Sequence, residues 1–228
     1  LFNNSVRPVF LRVGEIVTGG KKYRVMGKDR ISPAECDPVD RGVFCVEPGR
    51  WTGSSDRFGG GGAASAVAAP MAAPNVRAKA MADKDQSKVW AEVGRTREAM
   101  AETVTVEGAA QAINGTSSYA GVMDNREVKQ KVDSVAGPIQ RNYQSLIQQL
   151  REQNAVGVVV AVNGKMVWAD IFASTNLLEK YWPKLVRSYA AEAVVTRTTD
   201  GAADIQQAQE FPHPPVGRPE TLARAPGP

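Results

Sequence analysis

Three short β-prone stretches open the chain. Val9, Leu11 and Val13 alternate with Phe10 and Arg12. Tyr23 and Val25 fall on one face of a second stretch, with Arg24 and Met26 on the other. Val43-Phe44-Cys45-Val46 is a compact apolar run suited to a buried strand. This pattern predicts strands over 1–13, 22–28 and 42–47. A Gly-rich connection over 14–22 and a charged, Pro-containing loop over 29–41 separate them. Turn signals between neighbouring strands predict an antiparallel sheet that packs one face on a core.

The period then changes to that of a helix. Val89, Trp90, Val93 and Met100 stand among charges and predict a helix over 79–102. Residues 103–125 read as irregular, with a short strand at 103–106. A second helix is expected over 126–154, broken or weakened at Gly137-Pro138. Its latter half carries Ile139, Tyr143, Leu146, Ile147 and Leu150 on one face. Two apolar runs flank Asn163-Gly164, which predicts a hairpin over 155–173 with a type I′ turn. Ser174 or Thr175 then caps a helix whose apolar face holds Leu177, Leu178, Tyr181, Trp182, Leu185 and Tyr189, with Pro183 inside it. The expected fold class is α+β: a mainly antiparallel N-terminal sheet, a helical middle, and a C-terminal β-hairpin followed by a helix.

Composition adds the domain boundaries. Residues 59–74 hold seven Ala, four Gly and two Pro and no charge, too little apolar bulk to offset the entropy of ordering. A flexible insert is therefore expected over 53–76, within one domain spanning 1–195. Residues 196–228 lose the pattern, and the last eighteen contain six prolines, so a disordered tail is expected. The domain is expected to be incomplete at its N-terminus. That leaves a signal peptide open, with the cytoplasm as the expected location.

The charge balance is 28 Lys plus Arg against 24 Asp plus Glu. This mild basic bias permits an anionic ligand. It lacks the basic clusters interleaved with aromatics that a nucleic-acid binder needs. No run of 18 apolar residues is present, so no membrane partner is expected. Cys36 and Cys45 read as reduced, packed thiols.

The single histidine, His213, lies in the Pro-rich tail. That removes Ser-His-Asp, Cys-His and His-based metal chemistry. No cofactor or metal is expected. Acid–base work would fall to carboxylates, with Glu15 and Glu47 as the candidates, provided that they meet in space. Gly19-Gly20-Lys21-Lys22 has two readings: an anion nest of backbone N–H groups, or an ordinary hairpin turn with solvated lysines. Pro48-Gly49 is turn chemistry that gathers Glu47, Arg50 and Trp51 at a strand end. There, too, two readings stay open. Glu47 and Arg50 form a rim ion pair beside a hydrophobic Trp51, or Arg50 offers a planar fork to an anion while Trp51 offers a stacking face.

Two runs carry a family resemblance. The first comprises Gly14, Glu15, Gly19, Gly20, Lys21 and Arg24; the second comprises Cys45, Val46, Glu47, Gly49, Arg50 and Trp51. Together they resemble the ARG and rhodanese-phosphatase-superfamily-associated protein domain, where ARG denotes ADP-ribosylglycohydrolase. The resemblance resumes over 156–185. Lys22-Tyr23 departs from the Gln and Asp or Asn usual before the family's Arg. The resemblance implies a role near nucleotide or ADP-ribose metabolism. The implied partner is a small anionic, ADP-ribose-like ligand, with Gly19, Gly20, Lys21, Arg24, Glu47, Arg50 and Trp51 as the binding candidates. A non-catalytic interaction module and a carboxylate-dependent hydrolase are the alternatives.

Overall fold

A computed structural model describes residues 3, 5–20, 22–34, 42–49, 55–59, 71–106, 108–196 and 201–211. Among them the fold is α+β, as its pattern predicts. Strands β1 (Val9–Leu11), β2 (Ile16–Gly20), β3 (Arg24–Met26), β4 (Arg30–Ser32), β5 (Val43–Cys45) and β6 (Ser55–Gly59) make the N-terminal part. A four-stranded antiparallel sheet runs in the order β5-β3-β2-β6, and β1 pairs separately with β4.

Two segments read as connections are strands. β2 lies in the expected Gly-rich connection, and its hydrogen bonding to β3 on one side and β6 on the other outweighs the low strand propensity of Gly19 and Gly20. β4 lies in the expected loop, where Leu11↔Arg30 pairing extends β1. Residues 35–41, with Cys36, lie outside the described residues.

Of the expected insert over 53–76, residues 53–54 and 60–70 lie outside the described residues. Residues 55–59 form β6, and Met71, Ala72, Ala73 and Val76 are buried. Small side chains, read as an inability to order, instead let the chain run close to its neighbours: Ala72 N donates to Gly14 O at 2.8 Å, and Ala73 N donates to the Tyr119 hydroxyl at 2.8 Å. Helix α1 (Pro74–Ala78) begins with Pro at its first position, where the missing N–H costs nothing. A π-helical turn, Lys79–Asp83, follows. The expected helix over 79–102 is thus interrupted. Lys84 is left-handed, and Asp85 restarts the chain as the N-cap of α2 (Gln86–Thr103), accepting from Ser87 N and Lys88 N.

Residues 104–106 form no strand. Two short helices occupy this region instead, α3 (Ala109–Asn114) and α4 (Tyr119–Asp124). Helix α5 (Arg126–Glu152) runs through Gly137-Pro138 without a break, held along its length by α6 (Thr175–Val195). The hairpin β7 (Gly157–Val162) and β8 (Lys165–Ile171) is as expected, with Asn163 at φ 51° and Gly164 at φ 78°. Ser174 is the cap of α6 and accepts from Leu177 N at 3.2 Å. In the expected tail, α7 (Ile205–Glu210) is helical, and Gly201 sits against the hairpin turn so closely that a Cβ there would lie 2.3 Å from Asn163 O. Residues 212–228 lie outside the described residues.

The core has two parts. One gathers α5, α6 and the hairpin around Trp168, Phe172, Leu178, Trp182 and Leu185. The other joins the four-stranded sheet to α1, α2 and α4 through Ile16, Val25, Val46, Val76, Val89 and Tyr119. Among the described residues no helix is long and apolar enough to cross a membrane.

Candidate functional site

Glu47 and Tyr23 join the two motif-bearing segments. Glu47 is fully buried, and its carboxylate accepts from Tyr23 N at 2.7 Å. The neighbouring backbone reinforces the join: Val46 N donates to Tyr23 O at 3.1 Å, and Val46 O accepts from Tyr119 N at 3.1 Å. Gly49 has φ +83°, the left-handed conformation that the Pro48-Gly49 turn requires. Arg24 is half-buried on β3, in register with Val17 on one side and Cys45 on the other.

Helix α2 closes the outer edge of this sheet. The Gln86 side chain donates to Cys45 O at 2.8 Å and accepts from Cys45 N at 2.8 Å, so an amide stands where another strand would pair. One turn later Trp90 lies beside the buried Lys22, whose ammonium is 6.0 Å from the indole centroid. Cys45 is a free, buried thiol with its sulfur 3.4 Å from Glu47 N. Gly19 and Gly20 lie at the end of β2, where the pairing with β6 shifts register between them. Lys21, Arg50 and Trp51 lie outside the described residues.

Glu15 belongs to a different part of the molecule. Its carboxylate accepts from Lys184 Nζ at 2.6 Å, from Arg12 N at 2.7 Å and from the Tyr181 hydroxyl at 3.3 Å. Glu15 O accepts from Met26 N on one side of β3, whereas Glu47 holds Tyr23 from the side of β5. Three residues of strand and two strand spacings, each roughly 10 Å, separate their backbones. Glu15 is held by Arg12, Tyr181 and Lys184, and Glu47 by the Tyr23 N–H.

The residue before Glu15 explains the other half of the first motif. Gly14 has φ +87°, and a Cβ there would lie 2.5 Å from Arg77 Nε and 2.6 Å from Arg77 Cγ. Only glycine leaves room for this arginine. Arg77, fully buried, reaches past it to Asp170, with Nη1 at 2.8 Å from Oδ2 and Nη2 at 2.6 Å from Oδ1. Arg12 Nη2 adds a third bond to Asp170 Oδ1 at 2.8 Å, and the Tyr189 hydroxyl donates to Oδ2 at 2.6 Å. Arg77 stacks over Trp168 at 4.6 Å and Arg12 over Phe172 at 4.1 Å. Burial alone would raise the Asp170 pKa; the two guanidinium groups and Tyr189 outweigh it and hold it at about 2. The Tyr189 hydroxyl is pushed far up by its own burial and by the Asp170 charge. This knot ties β1, α1, the hairpin and α6 together.

The carboxylates that do approach one another are Glu92 and Glu192. Asn75 bridges them: its N donates to Glu192 at 2.9 Å and its Nδ2 to Glu92 at 2.8 Å. Burial, and the charge of Glu92, push the Glu192 pKa up. Arg95 holds the other oxygen of Glu92. Beside them an open cleft of about 440 Å³ lies between α2 and the end of α6, lined by Arg95, Glu98, Glu102, Val195 and Thr196 among others. Neither the arginine knot nor this pair carries a short-range sequence signal; their members lie 93 and 117 residues apart at the contacts that join them. Among the described residues no cluster of His, Cys, Asp and Glu is arranged to hold a metal.

A family model matches residues 1–225, and the chain belongs to the ARPP-1 family, the ARG and Rhodanese-Phosphatase-superfamily-associated Protein domain. No curated protein and no solved structure matches it. The family thus agrees with the resemblance read from the two motifs, and the α+β fold with the pattern of apolar positions.

Proposed function

We propose that the domain binds a small anion of the ADP-ribose class at the corner where residues 19–24 and 45–51 come together. The Tyr23–Glu47 hydrogen bond is the observation that carries this reading, because it fastens one segment to the other. Besides the buried Lys22, these two stretches contain Lys21, Arg24 and Arg50 against the single carboxylate of Glu47. An excess of cations at one corner favours a pyrophosphate. In this reading Arg50 supplies the bidentate fork and Trp51 a face for a base. The family's association with ADP-ribosylglycohydrolase supports the choice of ligand class. Calorimetric titration of ADP-ribose is the test. Heat that saturates with the intact protein and disappears in Arg50→Ala is expected. Absence of heat, or equal heat in the variant, overturns the reading.

A second reading, a non-catalytic interaction module, is favoured by the internal use of the motif residues: Gly14 makes way for Arg77, Glu15 is taken by Lys184, and Glu47 by Tyr23. It predicts that Arg50→Ala lowers the melting temperature and alters no response to ligand.

A further inference from the structure

We infer that residues 201–211 form a releasable strap, seated on the tip of the hairpin through a pair of glycines and able to open while the core stays closed. The seat is reciprocal. A Cβ on Gly201 would lie 2.3 Å from Asn163 O, and a Cβ on Gly164 would lie 2.9 Å from Ala202 O. Gly164 is left-handed at φ 78°, so the turn itself calls for glycine there. Gly201 is not left-handed. Its close approach to the hairpin, rather than its backbone conformation, is what calls for glycine at 201.

Beyond the seat the strap keeps its own hydrogen bonds. Asp204 caps α7 and accepts from Gln206 N at 2.9 Å. Ala208 N donates to Asp204 O at 3.0 Å, and Phe211 N to Gln207 O at 3.0 Å. The Gln206 side chain donates to Glu210 Oε1 at 3.1 Å. α7 lies against β7, yet no residue of 201–211 is buried; Ala208 is half-buried and Ile205 is 78% exposed. None of them belongs to either part of the core. α6, by contrast, buries Leu178, Trp182, Leu185 and Tyr189 among others.

That difference sets the cost of opening. A segment that buries little apolar surface opens locally and cheaply, whereas an element of the core opens only with the whole domain. A helix of six residues is too short to hold itself in water, so α7 keeps its form only while Gly201 is seated. Seat and helix therefore release together. Docked, the strap lies on a strand, Gly157-Val158-Val159-Val160-Ala161-Val162, that has no charge and no proline of its own to guard it. Released, it uncovers that strand without disturbing the helices behind the hairpin.

The test is hydrogen exchange of the full chain, read at single amides by NMR, in the wild type and in Gly201→Ala. In the wild type the Ala208 and Phe211 amides are expected to exchange faster than those within α6, at a rate that low concentrations of urea leave unchanged, as local opening requires. Gly201→Ala drives its Cβ into Asn163 O and is expected to speed exchange at Ala208 and Phe211 by about a further tenfold, with α6 exchange and the melting temperature unchanged. Exchange of α7 in step with α6 in the wild type overturns the inference. So does α7 exchange that Gly201→Ala leaves unaltered, or a melting temperature that the same variant lowers.

Discussion

The arginine knot and the Tyr23–Glu47 join are each built on a buried carboxylate, but they tie together different amounts of the chain. At the knot, Arg12 and Arg77 share Asp170, and all three side chains are buried. Asp29, with its carboxylate half in solvent, balances the second positive charge through Arg12. Four elements converge there and every carboxylate lone pair has a partner. At the other join, Glu47 is buried and fastens the segment after β5 to Tyr23, just before β3. A buried carboxylate shared by several donors ties distant elements together; one that meets a single backbone N–H fastens two neighbouring segments.

Substitutions at the knot sharpen this contrast most. Asp170→Asn leaves the buried Arg77 guanidinium without its counter-charge and Arg12 with Asp29 alone, and is expected to cost about 3–5 kcal/mol in urea unfolding. A loss below 1 kcal/mol would remove the knot from the account of the fold. Gly14→Ala is expected to cost about 1–3 kcal/mol from overpacking against Arg77. In an Arg77→Met background that cost should shrink, and a strictly additive double-mutant cycle would contradict the close approach.

Acid supplies a third probe. The folded pKa of Asp170, about 2, lies below its ordinary value of 3.8. Its stabilisation is therefore complete above about pH 4 and is lost as the pH falls through 2; the shift corresponds to about 2 kcal/mol. In Asp170→Asn, acid unfolding should lose that component, and a slope unchanged from wild type between pH 4 and 2 would contradict it. At the corner, Gln86→Ala frees both backbone groups of Cys45 and is expected to cost about 1 kcal/mol in thermal unfolding. Smallest of all, Arg151→Ala breaks an exposed pair with Glu179 and should leave the unfolding midpoint unmoved.

Much of the local structure was legible along the chain. Asn163-Gly164 specified the hairpin because both residues tolerate positive φ, and Ser174 specified the start of α6 because its hydroxyl meets a free N–H. Pro138 misled, since packing along α6 holds α5 continuous where propensity alone predicts a break. Ala72 and Ala73 misled in the opposite direction: low bulk signals disorder in isolation but permits close packing when a neighbour is present. The motif marked Gly14 and Glu15 without revealing that one clears a path for Arg77 and the other receives Lys184.

By itself the sequence determined the fold class, the family, the hairpin and the principal helices. Each is written in short-range terms: period, cap and turn. Tertiary structure alone decided that Asp170 lies between Arg12 and Arg77, that Glu15 and Glu47 stand apart, and that Glu92 and Glu192 share Asn75. Ion pairs and hydrogen bonds act over a few ångströms, and only the folded chain brings residues a hundred positions apart within that reach.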